Sequence, residues 1–216
     1  DAGALTARVL TRLQGATDPK TARALVVQDL QAAKAEATAA FQAAFLQSPR
    51  QSRALITAQA ALTDVLVQVT LAAAMRLHPL ANPTDAERIA VLGVGGYGRA
   101  EMAPQSDVDL LFLTPWKITP WAESVIETML YMLWDLKLKV GHSSRTVKDC
   151  IRLGREDITI RTALLEHRFI AGHEPLATEL ADRLWGELFR NSGPEFIEAK
   201  LAERAARHKR QGGQRY

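Results

Sequence analysis

The sequence predicts an α+β fold: a small mixed sheet flanked by helices from both ends of the chain. Three observations carry this. Residues 1–80 are built from Ala, Leu, Gln and charged residues, all good helix formers, with no strand-like alternation. Two short apolar runs, Arg88–Val94 and Leu110–Leu113, bracket a glycine-rich turn. From Thr146 onward the apolar spacing is helical again.

The elements follow in order. Asp18-Pro19 signals a helix start near Lys20, and Val26, Leu30, Ala33, Ala37 and Phe41 then recur on one helical face. Ser48-Pro49 breaks the chain. A second helix is expected over 51–77, with Leu55, Ala58, Leu62, Leu66, Val69 and Ala73 facing inward. The pair reads as an antiparallel hairpin packed on the core, and 79–83 as a connector. Arg88–Val94 is the first strand. The continuous apolar run Leu110–Leu113 suits a strand covered on both faces. Thr119-Pro120 opens a helix running to about Leu136, with Trp121, Val125, Met129, Leu133 and Trp134 on its core face. A third strand is expected over 138–141. Helices are then expected over 147–153, 156–170, 175–189 and 194–207, punctuated by Gly172 and Gly193. This divides the chain into an amino-terminal hairpin (1–80), a core (81–145) and a helical extension (146–216).

Composition narrows the function classes. Apolar residues make up 47% of the 216, enough for a real core. A formal charge of +3 gives no reason to expect nucleic-acid binding. The one cysteine, Cys150, excludes an internal disulfide framework and fits a reducing compartment. The most apolar stretch, 60–75, contains Asp64 and Gln68 and is not read as a membrane span, and no signal pattern stands at the amino end. The expectation is a cytoplasmic protein without membrane partners. The start at Asp1 and the end at Tyr216 suggest a piece of something longer.

The chemistry concentrates in Val91–Leu113. Gly95, Gly96 and Gly98 allow close backbone approach to a ligand. A helix opening there would turn its first amides toward a phosphate, and Arg99 would add a planar fork of donors. Asp107 and Asp109 stand two apart entering a strand, so their side chains share a face. Paired carboxylates with substrate phosphates are how Mg²⁺ is usually held. Ser106 is a further candidate for phosphate contact. Asp157 and Arg161 have the spacing of an intrahelical ion pair, while Arg145 and Arg161 are the better candidates to reach a triphosphate. His167 and His173 show no metal-ligand spacing.

A Gly-Gly turn after an apolar strand, followed by Ser106-Asp-Val-Asp109 entering another, resembles the signature of the DNA polymerase β-like nucleotidyltransferase superfamily. The segments Tyr131–Thr146 and Arg155–Glu166 look like the amino-terminal domain of the bacterial protein-PII uridylyltransferase/uridylyl-removing enzymes. That resemblance runs from about Ala90 to Tyr216 and is strongest between Gly93 and Glu166. It implies a polymerase β-like sheet, Mg²⁺ held by Asp107 and Asp109, and a nucleotide cradled by Gly95, Gly96, Arg99 and Ser106. It also implies uridylyl transfer from UTP to a tyrosine of the PII protein, with release of pyrophosphate. Adenylyl or other nucleotidyl transfer on the same fold, and binding of nucleotide or PII without turnover, remain alternatives. Many superfamily members supply a third carboxylate from a later strand. Here that strand reads Lys139-Val-Gly-His-Ser-Ser144, leaving His142 or Asp135 to stand in its place. The chain has no His-Asp dipeptide, so uridylyl removal is not expected of it, and no sign of glutamine-sensing domains.

Overall fold

The computed structural model describes residues 2–16, 18–47, 52–103 and 105–190. The expected break at Ser48-Pro49 and the expected helix over 194–207, with its basic end, lie outside them.

Three helices form the amino-terminal part: α1 (Ala2–Leu13), α2 (Pro19–Gln47) and α3 (Ser52–Leu77). The sequence reading had no separate α1; it buries Leu5, Val9 and Leu13 against its neighbours. Asp18 caps α2 by accepting from the amides of Lys20 and Thr21, with Pro19 in the first turn. The inward face of α2 is buried as far as Leu30 and partly buried at Ala33, Ala37 and Phe41, while Phe45 and Leu46 near its end are exposed. Residues Arg53–Leu77 form a helix long and apolar enough to cross a membrane, which the sequence reading had discounted. Here it is a core helix, packing on α1, α2 and α5 (Pro120–Asp135).

The sheet has four strands: β1 (Ala90–Gly93), β2 (Val108–Thr114), β3 (Val140–Thr146) and β4 (Arg168–Gly172), in the order β3-β2-β1-β4. β1 runs antiparallel to β2 and β4, and β2 runs parallel to β3, so the sheet is mixed. Alternation sorts the side chains onto two cores. Val91, Val108, Leu110, Phe112 and Ile170 face α1, α2, α3 and α5. Ala90, Leu92, Leu111 and Leu113 face α6 (Val147–Glu156), α7 (Ile158–Leu165), α8 (Glu174–Leu184) and the π-helical turn Trp185–Phe189. β2 is covered on both sides, as its unbroken apolar run requires; Asp109 is its one residue that is not buried.

Thr119 caps α5 as expected, accepting from the Ala122 amide with Pro120 following. Val125, Met129 and Leu133 are buried, but Trp134 is 43% exposed: its edge meets Tyr131 and His142 at the sheet's rim rather than the core. β3 begins two residues later than expected and runs five further, ending at Thr146, which caps α6 through a box with Asp149. The largest difference concerns the expected helix over 156–170. Asp157 ends α6 and caps α7, and after Leu165 the chain turns into β4. The segment assigned to a helical extension thus supplies an edge strand of the central sheet. Its short pattern Arg-Phe-Ile-Ala-Gly is too brief to separate from a helix end by periodicity; pairing with β1 decides it.

Candidate active site

β1 delivers the chain to a single turn, α4 (Gly95–Gly98). Val94 is extended and donates its amide to the Asp109 carbonyl, 3.0 Å away, which straps the turn to β2. Gly95 has φ +59°, the left-handed region that glycine enters without cost. α4 is one turn long, so it presents a few local amides rather than a helix dipole. Gly98 serves packing instead of ligand approach: a Cβ there would fall 1.8 Å from the Glu166 carbonyl oxygen.

Asp107 is exposed, just before β2; Asp109 is half-buried, within it. Strand alternation puts both on the α6–α8 side of the sheet, beyond the area those helices cover. The Asp109 carboxylate stands between two glycines. Oδ2 is 3.6 Å from where a Gly95 Cβ would be, and Oδ1 is 2.5 Å from where a Gly141 Cβ would be. Gly141 is the β3 partner of Asp109 in the parallel ladder, so a side chain there would displace the carboxylate from its present place. Burial first, then the charge of Asp107, raise the Asp109 carboxyl above its ordinary value. Among the described residues no hydrogen bond or ion pair engages either carboxylate, and no cluster of three or more His, Cys, Asp or Glu forms. The result is concentrated negative charge with no ion-pair partner among the described residues.

Arg99, 46% exposed, is held by Glu101 at 3.2 Å and Glu166 at 2.8 Å, and its Nη2 lies 3.8 Å from where a Gly96 Cβ would stand. It therefore belongs to the turn, with part of its donor set already engaged. Gly95 lies against Asp109, Gly96 against Arg99, and Asp107 close enough to Asp109 to act on its charge. Ser106 does not join them: it lines a cavity with α2 and α3 residues that shares no lining residue with the other five.

Relatives were found by sequence comparison. The chain is 70% identical over 219 residues to the bifunctional uridylyltransferase/uridylyl-removing enzyme of Cereibacter sphaeroides, a match covering 100% of the chain and 24% of that protein. It is 59% identical over 213 residues to the enzyme of the same name from Ruegeria pomeroyi, covering 98% of the chain and 24% of the relative. The chain belongs to this family. It spans about a quarter of the length of these relatives. The same name is carried by a protein of Erythrobacter litoralis, 54% identical over 172 residues that cover 79% of the chain and 19% of that protein. No family model matches the chain. The likeness to the Cereibacter member of the uridylyltransferase/uridylyl-removing family includes the amino-terminal helices, which the motif resemblance did not reach.

Several residues weighed from the family pattern lie elsewhere. His142 points to the opposite face from Asp109, edge-on to Trp134, and Asp135 pairs with Arg23 of α2 at 3.5 Å. Neither stands in for a third carboxylate; the position on β3 facing Asp109 is Gly141 itself. Arg161 does not extend toward the turn: its guanidinium donates to the carbonyls of Gly154 at 2.6 Å and Arg155 at 3.1 Å, closing the end of α6. Asp157 caps α7 through the amides of Thr159 and Ile160 rather than pairing with Arg161. Arg145 sits four residues along β3 from Gly141, beside Cys150. Burial pushes the Cys150 thiol up to about 12, as expected of a packing residue.

One group of functional weight escaped the sequence reading. Arg168 of β4 makes two hydrogen bonds to Asp64 of α3, at 2.7 and 3.0 Å, and donates to the backbone carbonyls of Tyr97 and Gly98. The Tyr97 hydroxyl donates to Asp64 at 2.7 Å, and the Arg168 guanidinium lies over the Tyr97 ring. Burial, then the Asp64 charge, push the Tyr97 phenol upward, so it stays a donor. This network fixes the back of the glycine turn to α3. Its one sequence signal is Asp64, a carboxylate inside an otherwise apolar helix.

Proposed function

We propose that the chain transfers a uridylyl group from UTP to a tyrosine hydroxyl of the PII signalling protein. The observation that carries this is the carboxylate pair Asp107–Asp109, without a counter-charge among the described residues and set beside the glycine turn. Two hard oxygen ligands in that state suit Mg²⁺ completed by phosphate oxygens. The named activity of the relatives supports uridylyl as the group moved.

Mg²⁺ held by Asp107 and Asp109 would offset charge on the triphosphate and on departing pyrophosphate. The protein's part is positioning. The lack of a side chain at Gly96 lets the phosphates approach the turn's amides, and Arg99 offers its remaining donors. The tyrosine hydroxyl loses its proton to solvent, and its oxygen forms a bond to the α-phosphorus while the bond to the bridging oxygen of pyrophosphate breaks, with the two oxygens in line. The Asp64–Arg168–Tyr97 network keeps the turn still during this step. A cytoplasmic setting, where PII and UTP meet, belongs to the same reading.

Incubation with UTP, Mg²⁺ and PII, read by intact mass, tests it. The expected result is a uridylyl adduct on PII and release of pyrophosphate, with ATP a poor substitute. An adenylyl adduct formed faster than a uridylyl one would replace this reading with adenylyl transfer. Binding of nucleotide or PII with no adduct would replace it with a non-catalytic module.

A further inference from the structure

A cavity of about 470 Å³ lies behind β2, on the face opposite the carboxylate pair. α2 supplies Lys34, Thr38 and Gln42, and α3 supplies Gln59 and Thr63; Lys137 and Lys139 precede β3, and Gln105 and Ser106 precede β2. Among the described residues its lining includes three lysines and no acid. Among the described residues no acid lies within ion-pair distance of Lys34, Lys137 or Lys139. Lys34 is half-buried, and its one partner among the described residues is a carbonyl, that of Leu136 at 2.7 Å. Burial pushes its ammonium below the ordinary lysine value, the mark of a desolvated cation lacking an anion.

The backbone gives an independent reason. Among the described residues three non-glycine positions have positive φ, and two of them, Gln105 at +67° and Lys137 at +59°, line this cavity. Lys137 occupies the left-handed position that ends α5: its amide bonds to Trp134 O, and that of Leu138 to Leu133 O. Glycine is the residue of lowest cost in such a cap, and a lysine there strains the chain by about 1 kcal/mol. A strained position that keeps an exposed lysine in the lining of this cavity is under a demand other than stability.

We propose that this cavity binds a small anion carrying two or more negative charges, held by Lys34, Lys137 and Lys139. Its volume is that of a small-molecule site. The amides and hydroxyls of Gln42, Gln59, Thr38 and Ser106 surround the uncharged part of the ligand. Phosphate esters and dicarboxylates share the required chemistry. Because Ser106 adjoins Asp107, an occupied cavity steadies the segment that delivers the carboxylate pair. The inference does not depend on uridylyl transfer.

Calorimetric titration of the protein in EDTA at low salt tests it, with inorganic phosphate, pyrophosphate and succinate as separate probes. At least one is expected to bind; the phosphates binding alone would identify a phosphate ligand, and succinate alone a dicarboxylate. Lys137→Gly is expected to weaken binding about tenfold or more, the loss of a charge-assisted contact. Its melting temperature should equal or exceed that of wild type, because the strained cap is relieved. Lys139→Gln should weaken binding in the same direction. Asp109→Asn should leave binding in place. No binding by any probe, full affinity in both lysine variants, or binding that requires Asp109 would each overturn the proposal.

Discussion

Asp109 and Gly141 face each other across the parallel β2–β3 ladder, and the carboxylate of one fills the space where the side chain of the other would stand, 2.5 Å from a Cβ built at 141. The missing side chain on β3 is thus the condition for the carboxylate on β2. Gly141→Ala must move either Asp109 or the strand. The expected outcome is a fall in transfer of about tenfold to a thousandfold, from misplacement by a fraction of an ångström. Stability should fall by only about 1 kcal/mol. A rate assay beside a thermal melt checks both, and full activity in Gly141→Ala would show that Asp109 has no required position.

Asp107→Asn and Asp109→Asn each preserve shape and remove one charge. Either should cost several orders of magnitude in rate, and the double variant little more, since each change dismantles the same cation site. Single and double variants assayed in parallel decide it; near-wild-type rates in both single variants would end the assignment.

The raised Asp109 carboxyl also sets a pH dependence. The folded state holds this proton more tightly than the unfolded state, so without metal it destabilises progressively as pH rises through the ordinary carboxylate value toward the folded one. Above both values the penalty is complete; below both it is absent. Metal-free Asp109→Asn should therefore melt at or above wild type at neutral pH, and the difference should shrink in acid. Melts across pH in EDTA read this directly. A difference that grows on acidification would contradict the shift.

Gly96→Val tests the turn. A Cβ at this position meets the Glu101 carbonyl at 3.5 Å and Arg99 Nη2 at 3.8 Å, both ordinary contacts, so the variant should fold. A branched side chain would stand where a phosphate approaches the amides, and transfer should be abolished. Circular dichroism alongside the mass assay separates folding from function; an active variant would remove the turn from the site.

Asp64→Asn leaves Arg168 partly buried with its best acceptor lost. The side chains of Arg168 and Asp64 retain 30% and 21% of their exposure, so the cost is smaller than for a fully buried pair, about 1–3 kcal/mol. Adding Arg168→Met to Asp64→Asn should recover part of it. A double-mutant cycle by chemical denaturation measures the coupling. Additive losses would mean the network is not a unit.

What the sequence determined alone was everything expressed in local pattern. The glycine turn, the Asp107–Asp109 spacing, the Thr119-Pro120 helix start and the unbroken apolar run of β2 each follow from neighbours within a few residues, and each appears where it was read. Tertiary structure decided the rest, because it concerned which partner a residue meets across long separations. Arg168 read as helical until pairing with β1 made it a strand residue, where its side chain faces Asp64, 104 positions earlier. His142 and Asp135 looked available beside the site, yet strand alternation and packing on α5 and α2 turned them away from Asp109. Arg161 was a candidate for phosphate until the end of α6 supplied it with two carbonyls. Trp134 matched a buried face by spacing, but β3 is the edge strand there, and among the described residues Tyr131 and His142 cover it only in part. Periodicity tells which residues face one way; only the packed chain tells what they face.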